Sequence, residues 1–203
     1  FNVARIMLKE QHLSKGQAAY LTMVRDGGKK ALSILNRSMD FYRMERGQYQ
    51  LQPRSLSVEE IIERVLTDYD QKISEKNIRV EILRANARTS SYTIYGEELP
   101  TYVIFSNLID NALDASNEDA KLTIQLRSLT DMTEISITND GSVPPDIRES
   151  FFHKYITAGK RRGNGIGTYS AKLMTEIQGG SITLEPGKHH TTLWVRLPKP
   201  PDS

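Results

Sequence analysis

Asn107 and Asn111, four apart in Asn107-Leu-Ile-Asp-Asn111-Ala-Leu-Asp114, have types and spacing that could do chemistry, as do the glycines of Gly163-Asn164-Gly165-Ile166-Gly167-Thr168. On a helix, positions 107, 111 and 114 share one strip, beside an apolar face of Val103, Ile104, Leu108, Ala112 and Ala115. Asparagine is a mediocre helix former, so two of them in mid-helix ask for a reason. One reason is structural, since carboxamides satisfy buried backbone groups. The other is coordination: carboxamide oxygens suit a hard cation such as Mg²⁺, which is held by few protein ligands plus substrate phosphates. On the asparagines alone the two readings stand level. The glycines add a second motif. They let the backbone come close to a ligand, and the helix that follows offers its N-terminal amides to an anion. A run of spaced glycines is weak evidence by itself. Here Lys160, Arg161 and Arg162 precede it directly and place cations beside the phosphate position. Alone, those cations would read as a solvated basic turn.

The elements that must position these residues can be traced from periodicity. Residues 1–10 read as the end of a helix, residues 11–15 as a polar connection, and residues 17–46 as a long helix. In the latter, Leu21, Val24, Gly28, Ala31, Leu35, Ser38 and Tyr42 alternate three and four apart, a seam at coiled-coil spacing. Gly27 and Gly28 weaken it by roughly 1 kcal/mol each against alanine. Two helices with one apolar stripe each make a hairpin with too little core, so pairing into a four-helix bundle is the expected completion, the plainer alternative being a helix packed on its own downstream domain. Residues 47–53 break the helix as a linker. Ser57-Val-Glu-Glu60 reads as a capping box opening a helix with Ile61, Ile62, Val65 and Leu66 at helical spacing. Strands follow at 78–83 and 91–95, a helix at 99–115, an antiparallel hairpin at 122–129 and 133–138, a helix at 168–177, and strands at 181–184 and 191–197. Helices segregated on one face of a mostly antiparallel sheet define an α+β fold, a two-layer α/β sandwich. The domain division expected is 1–50 for the helical hairpin and 51–203 for the sandwich.

Composition narrows the classes. A length of 203 residues supports one sizeable core plus a smaller element. A formal charge of +2 gives no whole-protein field for nucleic acid or membrane. No cysteine is present, which excludes a disulfide framework and cysteine-ligated zinc and fits a reducing cytoplasm. No apolar run approaches the roughly 20 residues of a membrane span. The chain opens on Phe1 rather than Met and reads as a piece of something longer, with a cytoplasmic location expected, whether free or as part of a membrane-bound sensor.

Taken in order, these pieces resemble the catalytic ATP-binding domain of sensor histidine kinases, in the GHKL superfamily, over about residues 17–198. Asn107-Leu-Ile-Asp-Asn111-Ala is similar to the N box and Asn139-Asp-Gly141-Ser-Val-Pro-Pro to the first glycine box. Phe151-Phe-His-Lys-Tyr-Ile-Thr-Ala-Gly-Lys160 is similar to the F box that opens the ATP lid. Gly163-Asn-Gly-Ile-Gly167-Thr-Tyr-Ser-Ala is similar to the second glycine box. Leu35-Asn-Arg-Ser-Met-Asp-Phe-Tyr-Arg-Met-Glu-Arg-Gly47 resembles the end of the second dimerisation and phosphotransfer helix. The resemblance implies a homodimeric kinase with ATP and Mg²⁺ as cofactors and a response-regulator receiver domain as partner. It implies that Asn111 ligands Mg²⁺ and Asn107 lines the same site. It places Asn139 at the adenine amino group, Gly141 under the base and Thr191 in support from the neighbouring strand. Gly163, Asn164, Gly165, Ile166, Gly167 and Thr168 would bind phosphates, with Lys160, Arg161 and Arg162 as lid cations.

The chain also departs from that pattern. Asp114 stands where many of these kinases carry lysine, Asn139 where the family usually has aspartate, Val143 in place of the second glycine, and His190 where a glycine usually precedes Thr191. An asparagine carbonyl still accepts from the adenine amine, without charge assistance; Asp140 as the acceptor would break the spacing to Gly141. No histidine is followed by the acid and Pro-Leu step of the family's phosphoacceptor, and the accepting histidine is expected upstream of this chain. His12 reads as a turn residue, His153 as a surface residue of the lid helix, His189 and His190 as hairpin-turn residues. Two other functions compete with the kinase. ATPase branches of the superfamily carry Glu where Asn107 stands, and a carboxamide cannot take the proton from water. A degenerate module that only dimerises or docks is the other alternative, motivated by Asp114, Asn139 and Val143.

Overall fold

The computed structural model describes residues 15–85, 92–156 and 165–201. The expected helix over residues 1–10, with His12, lies outside the described residues, as do Lys160, Arg161, Arg162, Gly163 and Asn164. The chain falls into two compact units, Phe1–Tyr49 and Gln50–Ser203.

The described part of the first unit is one helix, α1 (Lys15–Glu45). It ends where Gln48 N–H donates to the Arg43 carbonyl at 2.8 Å and Gly47 N–H to Met44 at 3.1 Å, the paired bonds of a Schellman stop. Val24, Leu35 and Tyr42 of the expected seam are 65%, 60% and 49% exposed. The apolar stripe is therefore solvent-facing in the single chain.

In the second unit β1 (Arg54–Ser57) leads into α2 (Val58–Asp68), then α3 (Asp70–Glu75) and β2 (Arg79–Ala85). The expected cap holds: the Glu60 N–H donates to Ser57 Oγ at 3.3 Å. β3 (Thr93–Gly96) pairs antiparallel with β1 in a small two-stranded sheet that periodicity did not signal, because β1 is only four residues long. α4 (Glu98–Ala115) follows, then β4 (Lys121–Ser128), β5 (Met132–Asp140), a single 3₁₀ turn at Pro145–Ile147, α5 (Gly167–Ile177), β6 (Ser181–Pro186) and β7 (His190–Pro198). The main sheet has the order β2-β4-β5-β7-β6, with β2 parallel to β4 and the other pairs antiparallel.

Alternation of side chains along each strand sorts the sheet into two faces. Leu126, Ile135, Val195 and Ile182 form one cross-strand row, and Ile124, Ile137 and Leu193 head the next; all are buried against the helices. From α4, Ile104, Phe105, Leu108, Ile109, Ala112 and Leu113 are buried. The apolar face expected for α4 is thus rotated: Val103 is half-buried and Ala115 exposed. The opposite sheet face is polar, and Glu134, its one buried carboxylate among the described residues, is held by Arg196 Nε at 2.7 Å and Arg127 at 3.3 Å.

Candidate functional site

The inward rows of the sheet do not stop at the core. Two residues beyond Ile137, period two places Asn139 on the inner face, and two before Leu193 it places Thr191 there. They are direct cross-strand partners. Asn139 is buried at 4% exposure, and its Nδ2 donates to the Asp140 carbonyl at 2.8 Å. The bond engages Nδ2, and Oδ1 is the acceptor of the carboxamide. Thr191 Oγ1 donates to the Gly141 carbonyl at 2.8 Å, and Gly141 N–H donates to His189 O at 2.9 Å. Gly141 has φ +116°, and a Cβ there would sit 3.1 Å from the Ala115 carbonyl. A side chain is excluded twice over, by conformation and by the closeness of the last turn of α4. The three residues expected around a base therefore meet in one place, against the end of α4. Val143 does more than restrict the loop: it is buried in the core, and its carbonyl accepts from Arg148 Nε at 2.9 Å.

The two asparagines lie one turn apart on the half-buried shoulder of α4. Asn107 faces the start of α5: a Cβ at Gly167 would lie 3.4 Å from Asn107 Oδ1. The N-terminus of α5 has no side-chain cap and no acidic residue in its first turn. Its leading amides and dipole are thus directed at the same space as the Asn107 carboxamide, an arrangement that suits an anion. Oxygen donors from carboxamides beside an anion-seeking helix end fit a Mg²⁺–phosphate pair, because such a metal takes oxygen ligands and leaves most positions to phosphate and water.

The segment before α5 is tied to it. Phe151 is buried and stacks edge-on with Phe152 at 5.1 Å. Thr168 Oγ1 donates to the Phe151 carbonyl at 2.9 Å, and Tyr155 N–H to Gly165 O at 2.9 Å. Gly165 has φ +64°, and a Cβ there would come within 2.6 Å of the Tyr155 carbonyl carbon. Ile166 and Thr168, expected at the phosphates, flank the first turn of α5. His153, His189 and His190 are exposed, as expected for surface and hairpin positions.

Asp114 is the residue whose surroundings the sequence did not suggest. Its carboxylate is ion-paired with Lys72 Nζ, which also holds Asp110 at 2.6 Å. Burial acts to lower the Lys72 pKa, but hydrogen bonds and charge from the two carboxylates outweigh it and hold the ammonium above its ordinary value. Four residues on, Lys76 Nζ donates to the carbonyls of Leu113 at 2.7 Å, Ser116 at 2.8 Å and Asp114 at 3.3 Å. Those are orphan carbonyls of the C-terminal end of α4. α3 has only six residues, too short for periodicity to reveal, and nothing in local sequence links it to α4.

An α/β sandwich whose α4 asparagines lie beside the start of α5 is the class that this fold and site define. The profile of the histidine kinase-, DNA gyrase B-, and HSP90-like ATPases matches residues 96–201, and the chain belongs to that family. It is 25% identical over 200 residues to the sensor protein EvgS of Escherichia coli (strain K12), covering 94% of this chain and 16% of EvgS. It is 24% identical over 193 residues to the circadian input-output histidine kinase CikA of Synechococcus elongatus, covering 90% of this chain and 25% of CikA. The chain thus spans a quarter or less of the length of these relatives. Among solved structures, the nucleotide-free catalytic domain of histidine kinase ThkA superposes with a TM-score of 0.65 at 22% identity, covering 73% of this chain and 96% of that one. ThkA solved in complex with the response regulator TrrA matches with a TM-score of 0.64 at 19% identity, covering 99% of this chain and 57% of that chain.

Proposed function

We propose that this chain is the ATP-binding catalytic portion of a two-component sensor histidine kinase. It would move the γ-phosphoryl group of ATP to a histidine supplied by a preceding helical segment, and from there to an aspartate of a response regulator. The observation that carries the reading is that Asn107 faces the start of α5, which no side chain caps, with Asn111 one turn on along α4 and with Asn139, Gly141 and Thr191 meeting at the sheet end beside the last turn of α4. In this reading Asn139 Oδ1 accepts from the adenine amine, the α5 amides hold the phosphates, and Asn111 would ligand Mg²⁺ with Asn107 lining the same site. When bound, the cation neutralises charge on the phosphates. The remaining work is positioning: phosphoryl transfer needs alignment and charge stabilisation more than covalent help from the protein. The neutral imidazole nitrogen forms the N–P bond as the Pγ–O bond breaks, and ADP leaves with the bonding pair. The exposed stripe of α1 supports pairing with a second copy through the helical unit.

Incubation of the chain, extended through the accepting histidine, with γ-labelled ATP and Mg²⁺ tests this. Base-stable, acid-labile label on the protein is the expected result; release of inorganic phosphate with no protein-bound label contradicts it. The hydrolytic reading fails on Asn107, which cannot deprotonate water. Asn107→Glu is expected to raise ATP hydrolysis, and no gain would weaken that argument.

A further inference from the structure

α3 and the residue that caps it, Lys76, lay two lysines across the end of the helix that carries Asn107 and Asn111. Lys72 Nζ meets Asp110 at 2.6 Å and pairs with Asp114, one turn further on. Its side chain is 28% exposed, and the ammonium also lies 5.9 Å from the Tyr69 ring centroid, whose hydroxyl is 3.1 Å from Ser106 Oγ of α4. The lysine is therefore held in place on three sides. Lys76 binds the last carbonyls of α4, at the end whose Ala115 carbonyl borders Gly141.

The positions of the two carboxylates make this pairing consequential. Asp110 precedes Asn111 directly, and Asp114 lies three residues after it and on the strip of Asn107. Neighbours at that spacing on a helix are about 5–6 Å apart. The helix C-terminus adds partial negative charge to the same region. A nucleotide triphosphate brought to Asn107 and Asn111 would meet two carboxylates and a negative helix end. At such separations like charges repel appreciably, and least screened at low salt. The two lysines offset each of these: Lys72 the carboxylates, Lys76 the carbonyls.

Resting on the site reading above, we propose that Lys72 is an electrostatic positioning residue for the nucleotide: by holding Asp110 and Asp114 it makes the asparagine strip of α4 tolerant of a polyphosphate. The residue acts through its partners rather than by touching the ligand. Its effect should therefore depend on ligand charge, and should vanish when the two acids are neutralised.

Calorimetric titration of the 203-residue chain at low salt, with MgATP and separately with adenosine, tests it. Lys72→Met is expected to weaken MgATP binding about tenfold and leave adenosine unchanged. Adding Asp110→Asn and Asp114→Asn should restore MgATP binding. Unchanged MgATP affinity in Lys72→Met, equal loss for adenosine, or no restoration in the triple variant would each overturn the inference. If Lys72→Met does not fold, the Asp110→Asn, Asp114→Asn pair decides: tighter MgATP binding supports the inference and unchanged binding overturns it. Asn111→Ala separates the two levels. Loss of MgATP binding there, with none in Lys72→Met, removes the role of Lys72 alone, whereas retention in Asn111→Ala removes the site reading and this inference with it.

Discussion

In the proposed reading Asn139 sets the character of the base end of the site. Its Nδ2 is bonded to the Asp140 carbonyl and its Oδ1 is an uncharged acceptor, so there it would offer adenine a neutral hydrogen bond rather than a charge-assisted one. Asn139→Ala removes that acceptor and is expected to weaken ATP binding about tenfold, near the upper range of a neutral hydrogen bond; GTP binding, measured beside it, should change little. Gly165 makes a second residue-level prediction. Alanine there must adopt a left-handed backbone and displace Tyr155. Gly165→Ala should therefore speed hydrogen exchange at the Tyr155 amide, whose partner is the Gly165 carbonyl. At this scale helical spacing put Asn107 and Asn111 one turn apart, and the resemblance put Thr191 on the strand beside Asn139, which is its cross-strand partner. Lys72 was not legible, because its partners are 38 and 42 positions away in sequence and no local pattern encodes such a pair.

At the scale of elements, the helices with caps and clear stripes were readable and the short pieces were not. Ser57 announced α2 by the spacing to Glu60, and the bond is present. Ser57→Ala is expected to cost about 1 kcal/mol, read as a shift of the urea unfolding midpoint. α1 was readable from its seam, and its weak point is the glycine pair. A Cβ at Gly27 would meet nothing within 4 Å, so packing within the chain does not require that glycine. Gly27→Ala is expected to stabilise α1 by about 1 kcal/mol, visible as increased helicity on warming. The apolar face of α4 was misjudged by part of a turn. Phe105, Ile109 and Leu113 are buried as well, and α4 packs on α2, which a reading of α4 alone could not weigh. β1 and α3 escaped for a common reason: four and six residues are too few to show a period.

At the scale of the whole molecule, one unit carries an exposed apolar stripe on a long helix and the other a closed core that holds the candidate site. Sedimentation at several concentrations should show reversible self-association of the chain, and a strict monomer would contradict pairing through α1. None of the described helices is long and apolar enough to cross a membrane. The central claim is that the candidate site of the second unit takes ATP together with Mg²⁺. Calorimetric titration with ATP, with and without Mg²⁺, beside the Asn111→Ala variant, addresses it most directly. The account predicts Mg²⁺-dependent binding that Asn111→Ala weakens at least tenfold. Absence of binding in the unsubstituted chain, or binding indifferent to both Mg²⁺ and Asn111, would contradict it and leave the helical unit as the functional part.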